Sequence, residues 1–356
     1  MRIRLISWYL LLLFMIVAGL KPDPARAADA GQGIYVINAV TANNNILSSI
    51  KSNSNIDGIV LQVAWNAIEP SENVFNWSSI DAVLKSAASA KKHVSLIVMP
   101  GYETPTWVYS DGAQQLQFVW DIASWGPKLC SVQTIPVPWD PVFLAKWQNL
   151  IGALGARYSS NPTIASVKVT GVSSKTGETL LPTDVNQALS SGSISCKSYN
   201  DLADWQNVGY TRLKVESAWN DIMQMFAQAF PDTRLEAMMV PGGFPAIDDN
   251  GNIFPGHLNQ DMEAATDIIA TGASEYPSQF ALQNDGWSAT WTWAVEDGYA
   301  GQIMTGVQEN HPQGTQAAQA IQTALAAGMS YLELYPTDAA ASATQAELAV
   351  AHQSLQ

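Results

Sequence analysis

The chain is predicted to fold as an α/β protein, a single (β/α)8 TIM barrel with long βα loops. Three observations predict it: eight short apolar runs at fairly even intervals, helix-period segments between them, and long connections after the runs but mostly short ones before them. The runs cover 33–40, 58–65, 93–100, 164–172, 235–240, 279–284, 303–308 and 331–335. They are rich in Val, Ile and Leu, and several lack polar alternation, as expected of parallel strands buried on both faces. A doubly wound open sheet usually stops at fewer strands and needs a nucleotide signature. No G-x-G-x-x-G or P-loop occurs.

The N-terminus reads as a leader. Arg2 and Arg4 precede an apolar stretch from Leu5 to Leu20, and Ala25-Arg26-Ala27 offers the small-x-small pattern of a signal-peptidase site. Residues 1–27 are therefore expected to be a signal peptide, with an uncleaved anchor as the alternative, and 28–356 the mature domain. The expected location is secreted or periplasmic, without stable membrane insertion once the leader is removed. Helical segments are expected over 79–92, 141–158, 211–230, 259–274, 313–328 and 341–355, with Asn76, Asp140 and Thr211 placed as N-caps. The connections 101–140, 173–209, 241–258 and 285–301 all leave strand C-terminal ends, the face on which barrels build their sites. Cys130 and Cys196 are the two cysteines, and in an exported chain they are expected to pair, tying two neighbouring loops on that face.

The net charge of −14 and the lack of Lys/Arg clusters exclude nucleic acid and anionic membrane surfaces as partners. Thirteen Trp and eleven Tyr against 13% charged residues suit a surface that stacks neutral rings, although such side chains also build cores. The four histidines show no i, i+4 pairing and the cysteines are far apart, so no metal signature is present, and no G-x-S-x-G elbow follows a strand.

The segment Gly58-Ile-Val-Leu-Gln-Val-Ala-Trp65-Asn66-Ala-Ile-Glu69-Pro70, followed by Phe75-Asn76-Trp77, resembles the second-strand region of retaining barrel glycoside hydrolases. It is similar above all to family 42 β-galactosidases and their relatives in families 5 and 10. Pro100-Gly101-Tyr102-Glu103-Thr104-Pro105-Thr106-Trp107 resembles the end of strand three in those proteins, and Trp139-Asp140-Pro141 through Arg157-Tyr158 the helix before strand four. The resemblance implies an exported enzyme that hydrolyses β-glycosidic bonds of a neutral oligo- or polysaccharide by double displacement, without a cofactor. It places the acid/base on Glu178, in Thr176-Gly177-Glu178-Thr179, and the nucleophile on Glu309, in Gly306-Val307-Gln308-Glu309-Asn310. Gly177 departs from the usual Asn before the acid/base. A non-catalytic carbohydrate-binding barrel and a transglycosylase are the competing expectations.

Such chemistry needs two carboxyl groups on opposite sides of the bond, one protonated and one ionised. Glu333, within Tyr331-Leu-Glu333-Leu-Tyr335, and also Glu103, Asp285 and Glu296 lie on the same face as alternatives, whereas Glu69 reads as structural because Pro70 follows it. The D-x-x-D-x-D-x-E run of acetamido-assisted hydrolysis is absent. Trp65, Asn66, Trp107, Trp139, Asn284, Trp287, Trp291, Trp293 and Tyr335 map to strand C-terminal ends or the loops beyond, and are expected to hold the sugar with Glu333 and His311.

Overall fold

The computed structural model describes residues 31–120, 129–174, 176–183, 190–191, 194–196, 200–240, 242–254, 258–286, 295, 298–309 and 312–355. Eight parallel strands close into a barrel: β1 (Gly33–Val36), β2 (Gly58–Ala64), β3 (His93–Met99), β4 (Ile164–Val169), β5 (Arg234–Met239), β6 (Phe280–Asp285), β7 (Met304–Gln308) and β8 (Tyr331–Leu334). Pairing of Gly33 with Tyr331 through Val36 with Leu334 joins the last strand to the first. Every expected run became a strand, the first and fourth shorter than their apolar runs by several residues and the others matching to within one residue at each end.

The connecting helices are α1 (Ser78–Ser89), α2 (Pro141–Tyr158), α3 (Arg212–Ala229), α4 (Leu258–Glu275), α5 (Ala317–Ala326) and α6 (Gln345–Ser354). Asp140 caps α2 by accepting from the Phe143 amide, and Thr211 caps α3 through Lys214. Asn76 sits one residue outside the cap of α1, yet its side chain still accepts from the Ser78 amide at 3.2 Å. No helix of the described residues is long and apolar enough to cross a membrane, and the leader, 1–27, lies outside the described residues.

Two apolar regions form. The larger lies between strands and helices; the smaller fills the barrel with Tyr35, Val60, Ile97, Ala165, Met238, Ala281, Met304 and Tyr331. Above this plug the barrel interior turns polar, which is the first sign of a site at its C-terminal mouth. The connection after β3 carries an antiparallel hairpin, Gln115–Val119 against Val132–Pro136. Cys130 at the turn of this hairpin is bonded to Cys196 in the connection after β4, with Cα atoms 4.9 Å apart, so the expected bridge is present.

Candidate active site at the barrel mouth

Strand parity decides which side chains reach the mouth. In β7, Met304 packs in the inner plug and Val307 in the outer core, so Gln308 shares the inner face. In β6, Ala281 is inner and Leu282 outer, which turns Gln283 and Asp285 inward and Asn284 outward. Gln308 Nε2 donates to Glu178 Oε1 at 3.2 Å and to Asp285 Oδ1 at 3.4 Å. The two carboxylate oxygens therefore lie no farther apart than these two distances laid end to end.

Glu178 arrives from the connection after β4, six residues past the point at which the sequence ends the strand. That connection is fixed rather than free. The Thr179 amide donates to Met238 O at 2.9 Å, the Leu181 amide to Gly243 O at 2.9 Å, and Ser174 Oγ to Leu180 O at 2.7 Å. Gly177 is explained by the same packing, because a Cβ there would sit 2.7 Å from Ile97 Cγ2. An Asn at this point would push the loop off β3. Glu178 is 7% exposed, and its Oε2, like Gln308 Oε1 and Thr176 Oγ1, is buried with no hydrogen-bond partner among the described residues. Buried polar atoms without partners are rare and need a ligand or water to satisfy them.

Burial, and then the charges of Glu178 and Glu333, push the Asp285 carboxyl up to about 7; Gln308 and Lys168 oppose the shift. Lys168 stands beneath the mouth inside the barrel. Its ammonium contacts Glu236 Oε2 at 3.0 Å, is paired with Glu333, donates to Gln283 and lies 5.1 Å from the Tyr331 ring centre. Burial alone would discharge this lysine, but Glu333 and Glu236 outweigh it and hold its pKa above the ordinary range.

Glu333 is thus inward, fully buried, and bonded to Lys168 and the Tyr331 hydroxyl. It is part of the floor rather than a surface that a sugar could touch. Glu309, one residue past the end of β7, is fully buried, with Oε2 accepting from the Tyr335 amide at 2.6 Å. Its charged neighbour is Asp338, and burial followed by Asp338 raises the Glu309 carboxyl to about 8. Among the described residues, Gln308 thus joins Glu178 to Asp285. Half-buried Tyr335 connects the two places: burial raises its hydroxyl pKa, as do the charges of Glu178, Asp285, Glu309 and Glu333.

The expected aromatic platforms divide. Trp65 is 0% exposed, packs against Trp107 and Trp147, and gives its indole N–H to Glu69 Oε2 at 2.8 Å, so it is core. Glu69 is structural as expected, accepting also from the Asn73 amide. Trp107 is partly buried and donates to Glu69 O, while Trp139 packs on Trp205 and Tyr210. Asn66 is exposed and donates to Glu103 Oε2 at 2.9 Å, and Asn284 turns outward to donate to Gly286 O at 2.8 Å. Trp287, Trp291, Trp293 and His311 lie outside the described residues. Sequence reading did not single out Gln308 or Lys168. A long polar side chain on an otherwise apolar buried strand, as with Lys168 in Ile164–Val169 and Gln308 in Met304–Gln308, is the signal that could have found them. Among the described residues no group of three or more His, Cys, Asp or Glu is arranged to hold a metal ion.

Comparison with curated proteins finds no match. Among solved structures, a psychrophilic family 10 endo-β-1,4-xylanase is similar at 11% identity, covering 88% of each chain with a TM-score of 0.46. An intracellular xylanase from Thermoanaerobacterium saccharolyticum is similar at 12% identity over 89% of each chain, with a TM-score of 0.48. Residues 50–173 match the model of glycoside hydrolase family 42, described as beta-galactosidase, a segment that runs from before β2 to just past the end of β4 and stops short of Glu178.

Proposed function

We propose that the barrel mouth hydrolyses a β-glycosidic bond in a neutral carbohydrate, with Asp285 and Glu178 as the reacting carboxyl pair. The observation that carries this reading is the pair itself: two carboxylates held on one amide, with burial keeping a proton on Asp285 up to about pH 7. The spacing imposed by Gln308 reaches at most the short edge of the inverting range, about 6.5–9.5 Å, and is open to the retaining one of about 5–5.5 Å. Double displacement is the mechanism we propose for this pair. Asp285 gives its proton to the leaving oxygen while Glu178 attacks the anomeric carbon, so the C–O bond breaks as a glycosyl ester forms. Asp285 then takes a proton from water, which attacks the same carbon and frees the Glu178 carboxylate. The family 42 match over 50–173 and the low charge content support a neutral sugar. A leader at 1–27 and the bond between Cys130 and Cys196 support export to an oxidising compartment.

One observation favours the binding-only reading. The carboxyl that the resemblance makes the nucleophile, Glu309, is bonded to the Tyr335 amide, and the Gln308 amide beside it holds Glu178 and Asp285 instead. Turnover on a panel of β-linked oligosaccharides separates the two. The parent should turn over at least one member, and Glu178→Gln and Asp285→Asn should each lower kcat by about 10²–10⁴-fold. Saturable sugar binding with no turnover by the parent would establish the binding barrel instead. An Asp285→Asn protein as active as the parent, beside an inactive Glu309→Gln, would return the nucleophile to Glu309.

A further inference from the structure

Three side chains under the mouth each have one polar end satisfied and the other orphaned. Gln283 Oε1 accepts from the Lys168 ammonium, while its Nε2 has no partner among the described residues. Gln308 spends its Nε2 on Glu178 and Asp285, and its Oε1 has no such partner. Glu333 Oε1 takes both Lys168 and the Tyr331 hydroxyl, and its Oε2 has none. All three residues are at most 3% exposed. They also sit together. Strand register sets Asp285, Gln308 and Glu333 side by side in one row of the inner face, with Gln283 one row below and diagonal to Gln308.

Charge fixes which way the two amides point. Reversing Gln283 would set its N–H groups against the Lys168 ammonium, and reversing Gln308 would set its carbonyl against two carboxyl groups. The orphans are therefore one donor, Gln283 Nε2, and two acceptors, Gln308 Oε1 and Glu333 Oε2. That set is the complement of a single water molecule, which accepts one bond and donates two. Left bare, each atom would carry the cost of its lost hydration.

We propose that the barrel encloses a water at this point and that Lys168 is a positioning residue acting through it. The bonds then run in one direction, from the Lys168 ammonium through the Gln283 amide, the water and the Gln308 amide to Glu178 and Asp285. Each donor in such a chain polarises the next, so the cation below strengthens the two N–H bonds that hold the carboxyl pair above. Without the water the Gln308 carbonyl loses its anchor, and the amide can turn away from the pair. The effect on turnover rests on the proposed hydrolysis, whereas the water and the orientation of Gln308 do not.

Lys168→Met would strand two carboxylates inside the barrel and put folding at risk, so the test uses Gln283. Gln283→Met nearly keeps the volume and leaves Lys168 its two ion pairs, but removes the donor to the water. A crystal structure of the parent at a resolution that shows ordered waters should place one at about 3 Å from Gln283 Nε2, Gln308 Oε1 and Glu333 Oε2. In Gln283→Met that water should be lost or displaced. Exchange of the Gln308 side-chain N–H protons, followed by NMR in the full chain, should then quicken by about tenfold, the worth of one hydrogen bond. Backbone amides of β6 and β7 serve as the reference and should stay within about threefold of the parent. If the parent turns over a β-linked sugar, Gln283→Met should lower kcat by about tenfold with KM changed by less than about threefold. Parent crystals in which the three atoms bond to one another or face apolar atoms would overturn the proposal, as would unchanged exchange at Gln308 in Gln283→Met. Quickening throughout both strands would reduce Gln283 to a packing residue, and a kcat equal to that of the parent would remove the positioning role. A parent without turnover leaves the structural and exchange results intact and counts against the hydrolysis alone.

Discussion

Trp65 shows how one hydrogen bond decides between core and binding surface. Its indole N–H is taken by Glu69, its ring is enclosed by Trp107, Phe143 and Trp147, and the short helix it begins turns it back under the loop. Replacing it by Ala should cost about 3–5 kcal/mol through the cavity alone. Trp65→Phe should cost less, about 1–3 kcal/mol, because it keeps the ring but leaves Glu69 with an unpaired buried oxygen. Both would show as lower urea midpoints. A raised sugar KM with unchanged midpoint would instead make Trp65 part of the binding surface. The same kind of local decision separates Gln308 from Glu309 and Asn284 from Asp285. A sequence locates the end of a strand to within a residue or two, but inner and outer faces alternate with every residue. The candidate site was therefore legible as a region, the mouth where the connection carrying Glu178 meets the ends of β6 and β7, while the side chains that contact one another there were not.

At the scale of elements, the eight strands were legible because strands covered on both faces need continuous apolar side chains, and the runs around Leu61, Leu96 and Leu235 supply them. The hairpin after β3 was hidden by the opposite circumstance. Gln115–Val119 alternates exposed and buried residues before its end, and Val132–Pro136 is only partly covered, so neither run stands out from loop sequence. The disulfide fastens this hairpin to the connection that carries Glu178. In the chain-entropy account, closing a loop of 66 residues stabilises the fold by about 4 kcal/mol. Cys130→Ser/Cys196→Ser should therefore lower the urea midpoint. If the bridge also steadies Glu178, it should lower kcat at temperatures well below unfolding. A lower midpoint with kcat unchanged would confine the bridge to global stability and leave the hydrogen bonds of the loop itself, those of Thr179, Leu181 and Ser174 among them, to hold Glu178.

For the whole molecule, the proton count of the folded state sets how stability varies with pH. Burial raises Glu309 from 4.5 to about 8, Asp285 from 3.8 to about 7 and Glu216 from 4.5 to about 7. Each group keeps its proton in the folded protein through a range in which the unfolded chain has released it. The native state then binds more protons, and stability falls as pH rises. These contributions are fully present below about pH 4, fade between about 4 and 8, and are gone above the folded values. Asp81, lowered in its contact with Arg157 and Tyr158, works in the opposite sense but is largely exposed, so screening leaves it little weight. The formal charge of −14 adds self-repulsion of the same sign as the buried acids. Urea midpoints should accordingly decline from pH 5 toward pH 8.5, a loss on the order of 3 kcal/mol after discounting for partial solvation. Salt at about 0.5 M should remove the part due to surface repulsion and leave the part due to the buried acids, since buried groups are screened much less. Combining Asp285→Asn with Glu309→Gln should flatten what remains. A midpoint that rises from pH 5 to pH 8 in the parent would mean that these carboxyls are ionised in the folded state, and the donor role of Asp285 would fall with it.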